Sequence, residues 1–118
     1  MISPATTEEE RRQQENSWTI HKYTLEFENI GPDGYFETRL PANARILSVQ
    51  NQKGEICIWY KWDLGAKEDE LQPRSFILIG TGWETDYDKY QLVEFIGTVQ
   101  IHEGEYIFHL FEVKAVIE

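Results

Sequence analysis

Several common stabilising and catalytic devices are missing from this chain. One cysteine, Cys57, stands in 118 residues, so no internal disulfide can staple the fold. It lies inside an apolar run, which predicts a buried free thiol in a reducing cytosol rather than a reactive nucleophile. No apolar stretch approaches the roughly 18 residues a membrane span needs. Residues 1–20 also lack the basic-then-apolar order of a secretion signal, and a cytoplasmic protein is expected. Positive charge is scarce as well. Eleven Lys and Arg stand against 21 Asp and Glu, a net charge of −10. Such a field repels phosphate backbones at a distance, which disfavours general nucleic-acid binding. It still permits a small anionic ligand in a local basic pocket, or docking against a basic protein surface. Acidity that simply keeps a small protein soluble fits equally well.

Catalytic spacings are absent too. There is no G-x-S-x-G elbow, and Ser17, Ser48 and Ser75 have no distinctive context. No H-x-H, C-x-x-C or H-E-x-x-H spacing occurs. His102 and His109 are an odd number of positions apart, so on one continuous strand they would face opposite ways. The sequence therefore reads as non-enzymatic, with no metal and no cofactor.

What the chain does have is β-pattern. Residues 74–83, 92–102 and 105–114 carry apolar, β-branched and aromatic runs separated by Gly-bearing or acidic punctuation. Upstream, 18–28 alternates His21, Tyr23, Leu25 and Phe27 against Thr19, Lys22, Thr24 and Glu26, a half-buried strand. Gly31-Pro32-Asp33-Gly34 is a strong turn, and 35–40 alternates again until Pro41. Segments 45–50 and 55–63 flank Asn51-Gln52-Lys53-Gly54, a hairpin turn. Residues 63–73 read as a polar surface loop with room for one helical turn. The run 76–79 is apolar on both faces and predicts a central strand. Residues 83–90 form an aromatic-acidic connector, and 93–101 and 106–116 pair across Glu103-Gly104. The echo between F-I-L-I-G-T and V-E-F-I-G-T suggests two similar neighbouring strands. The expected fold is all-β: a small antiparallel sandwich or partly closed barrel of about seven strands over 17–118. Residues 1–16 are expected to form a disordered or short helical arm, since they carry almost nothing apolar after Ile2.

Candidate binding residues follow from local chemistry. Trp59-Tyr60-Lys61-Trp62 puts Trp59 with Cys57 and Lys61 on one face, and Trp62 with Tyr60 and Ile58 on the other. Both rings cannot enter one core, so one is expected to be partly exposed or covered by a loop or subunit. A homo-oligomer is expected on the same ground. Gly80-Thr81-Gly82 either bends a strand or lines a backbone cradle. His109, between Phe108 and Leu110, is either a hydrogen-bonded core histidine or a ligand contact.

Five spaced motifs add a resemblance. I-H-K-Y (20–23), L-P-x-x-A-x-I-L-S-V-Q (40–50), I-G-T-G (79–82), F-I-G-T-V-Q (95–100) and F-H-L-F-E (108–112) resemble a family of small tailed-phage proteins of unknown function. The resemblance spans roughly 18–114 and brings no catalytic residues with it. It implies a phage accessory protein made in the cytoplasm of a bacterial host. Such a protein could sequester a small nucleotide-derived immune signal. It could instead dock an acidic, nucleic-acid-like face on a host defence protein, or serve as a minor structural protein. The sponge reading needs an aromatic pocket with a cation, and Trp59, Arg74, Thr81, Trp83 and His109 are its candidate residues. Arg74 is the expected anion partner, because its planar fork can hold a phosphate bidentately. The inhibitor reading needs the carboxylates of 63–70 and 84–88 on one face.

Overall fold

The computed structural model describes residues 17–64, 71–85 and 89–115. The expected N-terminal arm, the acidic loop at 65–70 and residues 86–88 lie outside them. Among the described residues, seven strands form two antiparallel sheets and no closed barrel, so the all-β expectation holds. One sheet orders β1 (Trp18–Thr24), β4 (Glu55–Asp63) and β3 (Arg45–Gln52) as β1-β4-β3. The other holds β2 (Tyr35–Pro41), β5 (Leu71–Gly80), β7 (Tyr106–Ala115) and β6 (Tyr90–Ile101) as β2-β5-β7-β6.

Period-two burial builds the core between the sheets. Phe36 and Leu40 of β2, Phe76 and Leu78 of β5 and Leu110 of β7 face Ile56 and Ile58 of β4, with Val49 and Val99 from the edges. Phe36 and Phe76 are ladder partners whose rings stack at 5.4 Å. The sheets approach most closely at one corner, where Asn51 donates its side-chain amide to the Gln100 carbonyl at 2.9 Å. A Cβ on Gly97 would come within 3.0 Å of a Val49 methyl there, a tight contact between the sheets.

Turn chemistry matches the sequence. Lys53 and Gly54, at φ 53° and 87°, make the two-residue turn that a right-twisted hairpin favours. Gly34 sits at φ +88° with its carbonyl accepting from Leu78 N–H, so the turn at 31–34 abuts β5 directly.

Several boundaries and neighbours differ from expectation, among them the start of β6 at Tyr90 rather than 93. The strand expected over 18–28 stops at Thr24, the ladder partner of Cys57, although Leu25 N–H still donates to the Ile56 carbonyl. Phe27 then falls in a 3-10 turn, Phe27–Asn29, half exposed. The loop expected to reach Pro73 instead gives way to β5 at Leu71. Pro73 is tolerated because the β5–β7 ladder starts only at Ser75, leaving β2 as its sole described neighbour. Finally, β5 and β6, whose sequences echo, are not adjacent: β7 lies between and pairs antiparallel with both.

Candidate functional site

The site is built on the face of the four-stranded sheet that points away from the core. On β5 the core takes Phe76 and Leu78, so Ser75, Ile77 and Ile79 point outward. On β7 the core takes Leu110, so His109, Phe111 and Val113 point outward beside them. This second face is not simply wet. Ile77, paired with Tyr35 and Phe111, is fully buried, and Val113 nearly so.

Two features shape the cover. Strand β6 carries register shifts between Leu92 and Glu94 and between Phe95 and Gly97, and such bulges bend a strand. Tyr90, at its start, stacks on Tyr35 of β2 with centroids 5.1 Å apart, and its hydroxyl donates to Asp33 Oδ2. That bond holds the Asp33 carboxyl below its ordinary value, with help from the Tyr35 backbone N–H and the charge of Lys89, against a smaller opposing effect of burial.

Between the connector and the sheet lies a cleft of about 580 Å³. Ile79 and Phe111 form its floor, Tyr90 and Leu92 one side, and Trp83, Glu84 and Thr85 the other. Trp83 is held there by a turn: its N–H donates to the Gly80 carbonyl at 3.0 Å, and Gly82 supplies φ +87°. The indole lies across Gly80, where a Cβ would meet ring atoms at 2.5 Å, and packs edge-on to Phe108 at 5.8 Å. More than half of Trp83 stays exposed.

Beside the floor runs a polar ladder. His109 is the ladder partner of both Ile79 and Thr98. Its Nε2 lies 2.8 Å from Thr81 Oγ1 and its Nδ1 2.9 Å from Thr98 Oγ1. A neutral imidazole donates at one nitrogen and accepts at the other, and either hydroxyl can complement it. The ring is thereby fixed, two residues along β7 from Phe111 of the cleft floor.

The structure thus gathers Thr81, Trp83 and His109, and separates the other two candidates. Trp59 sits on the outer face of the three-stranded sheet, with Lys22 Nζ 5.6 Å from its ring centroid. Arg74 points into the space between the sheets, not to a free cleft. Its Nε and one Nη each donate to Glu112 at 2.7 Å, and the other Nη donates to the Ala44 carbonyl. A guanidinium engaged on three sides is not free to grip a phosphate, which takes Arg74 out of the cleft site. Sequence reasoning had not named Tyr90, Leu92 and Phe111. Phe111 shares a face with His109 by period two, a legible signal; the approach of Tyr90 depends on the bulges of β6, which are not.

A family model described as a domain of unknown function, DUF7352, matches residues 16–118. The chain belongs to that family. No curated protein and no solved structure matches it. The DUF7352 match takes in every described strand and the whole cleft, so the site lies within the family domain.

Proposed function

We propose that this DUF7352 protein binds a small planar ligand without turning it over, in the cleft between the 83–85 connector and the outer face of the four-stranded sheet. The observation that carries the proposal is the cleft itself. Its volume of about 580 Å³ falls within the range usual for small-molecule sites, roughly 300–1,000 Å³, and three of its seven described lining residues are aromatic. Tyr90 and Phe111 offer aromatic surface and Trp83 borders the cleft, while Glu84, Thr85 and the adjoining Thr81–His109–Thr98 ladder offer polar contacts.

The resemblance to small tailed-phage proteins supplies the setting. In that setting the ligand is a nucleotide-derived immune signal of the host, and the protein acts as a sponge in the host cytoplasm. Recognition rests on the base, since Arg74 is spent on Glu112 and Glu84 on the cleft wall favours a hydrogen-bond donor. Lys89, next to Tyr90, is the nearest cation in sequence for a phosphate.

The same reading includes a symmetric dimer. Leu92, Val93 and Phe95 are each about half exposed on the N-terminal part of β6, an edge strand. A second copy laid antiparallel along that edge pairs the same strand with itself, as a two-fold requires.

Isothermal titration with nucleosides, cyclic nucleotides and ADP-ribose derivatives tests the proposal. Saturable binding with the ligand recovered intact supports it. No heat from any of them, together with stoichiometric capture of one host protein, would transfer the function to the acidic-inhibitor reading.

A further inference from the structure

The face of the three-stranded sheet turned away from the core has an unusual composition for so acidic a chain. The core takes Ile56 and Ile58 of β4, which leaves Cys57, Trp59 and Lys61 on the outside. Register then places Trp18, Ile20 and Lys22 of β1 and Arg45 of β3 on the same side. Three cations and two tryptophans are thus interleaved on one flat face. The acids on it, Asp63 and Glu55, stand at its two ends.

Three details set this face apart from an ordinary solvated sheet. Lys61 and Arg45 are direct cross-strand partners, an arrangement of like charges that destabilises a sheet unless an anion answers it. Lys61 reaches Asp63 at 3.3 Å, which leaves Arg45 with no described ion-pair partner. Trp18 and Ile20 are exposed by 56% and 50%, side by side on the outermost strand. Among the described residues, no strand pairs with the outer edge of β1.

We propose that this face docks an extended acidic segment of a partner protein, added as a strand alongside β1. Strand addition satisfies the open backbone edge, and alternate side chains of the added segment then lie over the face. Acidic residues at every second position repeat at about 6.7 Å, the rise of two strand residues, so that one lies beside Lys22 on β1 and the next beside Ile20, whose ladder partner Lys61 is one strand further in. Apolar contact comes from Trp18 and Ile20, whose rim of charge resembles a protein interface. Single-stranded nucleic acid fits less well. Both tryptophan faces already carry a lysine, with Lys61 Nζ 5.2 Å from the Trp18 centroid and Lys22 Nζ 5.6 Å from that of Trp59. This surface is separate from the cleft and stands or falls without it.

The test is fluorescence anisotropy of a labelled peptide with glutamate at alternate positions, titrated with the full-length protein. A lysine-for-glutamate version and a single-stranded oligo-dT serve as competing probes. The glutamate peptide is expected to bind, to weaken as salt rises, and to protect β1 amides from hydrogen exchange. The double variant Lys22→Glu with Lys61→Glu should weaken it by about tenfold or more, as charge reversal does at an interface. Trp18→Ala, an exposed position that leaves the core untouched, should weaken it too, and decides the matter if the double variant fails to fold. Undetectable binding, or binding unchanged in a folded double variant or in Trp18→Ala, would overturn the proposal. Tighter binding of oligo-dT than of the peptide would overturn it as well and assign the face to nucleic acid.

Discussion

Arg74 and Glu112, 38 residues apart, meet in a two-bond ion pair, Nε to Oε2 and Nη2 to Oε1, both at 2.7 Å. Their side chains are only 20% and 15% exposed, at the margin of the space between the sheets. The pair ties β5 to β7, and the third arm of Arg74 ties both to the Ala44 carbonyl just before β3. Arg74 is therefore a structural residue in this fold.

Removing either partner leaves the other charge poorly solvated. Arg74→Ala and Glu112→Ala should each cost about 2–3 kcal/mol of stability, the range for a charge-assisted, partly buried pair. Urea melts of the two variants and their double should show strong non-additivity, because the pair is lost once. Ligand affinity measured on folded protein should change little. A stable Arg74→Ala with abolished binding would restore Arg74 to the site.

Acid should loosen the cover of the cleft. The Tyr90 hydroxyl holds Asp33 below the ordinary carboxyl value of 3.8, so the folded state binds its proton later than the unfolded chain. Stability from this bond is present above pH 3.8 and is lost as pH falls through the lower folded value. The stability gap between the wild type and Asp33→Asn should accordingly narrow as pH drops below 3.8, followed by chemical denaturation. A gap that widens toward acid would contradict the assignment.

Two glycines with nearly the same φ should respond very differently to alanine. At Gly34, φ +88°, a Cβ would lie 2.1 Å from the Leu78 carbonyl oxygen, and strain adds to a clash with backbone. Gly34→Ala should cost about 3 kcal/mol or more. At Gly54, φ +87°, the space is open, and Gly54→Ala should cost only about 1 kcal/mol for the left-handed backbone. Equal losses would mean the turn at 31–34 does not abut β5.

The edge of β6 gives an assembly test. Phe95 is 54% exposed, so Phe95→Glu should leave the monomer fold intact while placing like charges across the proposed two-fold. Sedimentation should find the wild type dimeric at micromolar concentration and the variant monomeric. A monomeric wild type would remove the dimer.

How much of this was legible in the sequence depends on the range of the interaction. The β4 bounds and the turn at Lys53-Gly54 follow from alternation and turn chemistry within a few residues. The interior position of Phe76, Ile77 and Leu78 follows from a run apolar on both faces. By contrast, Pro73 reads as a breaker until one knows that β7 pairs with β5 only from Ser75. Arg74 looks free in the chain, because its partner is set by the β5–β7 register. Within the site, Thr81, Trp83 and His109 were chosen on local chemistry. Their company with Tyr90 and Phe111 needed the sheet order and two bulges.

Trp83 offers the most direct test of the central claim that the cleft holds a planar ligand. Titration calorimetry on the wild type and Trp83→Ala, with nucleosides, cyclic nucleotides and ADP-ribose derivatives, measures what the ring contributes. The expected result is saturable one-site binding that weakens by about 1 kcal/mol or more in the variant, as the loss of apolar wall area does, with the fold unchanged. Binding of equal strength in Trp83→Ala, or none to the wild type across the panel, would contradict it.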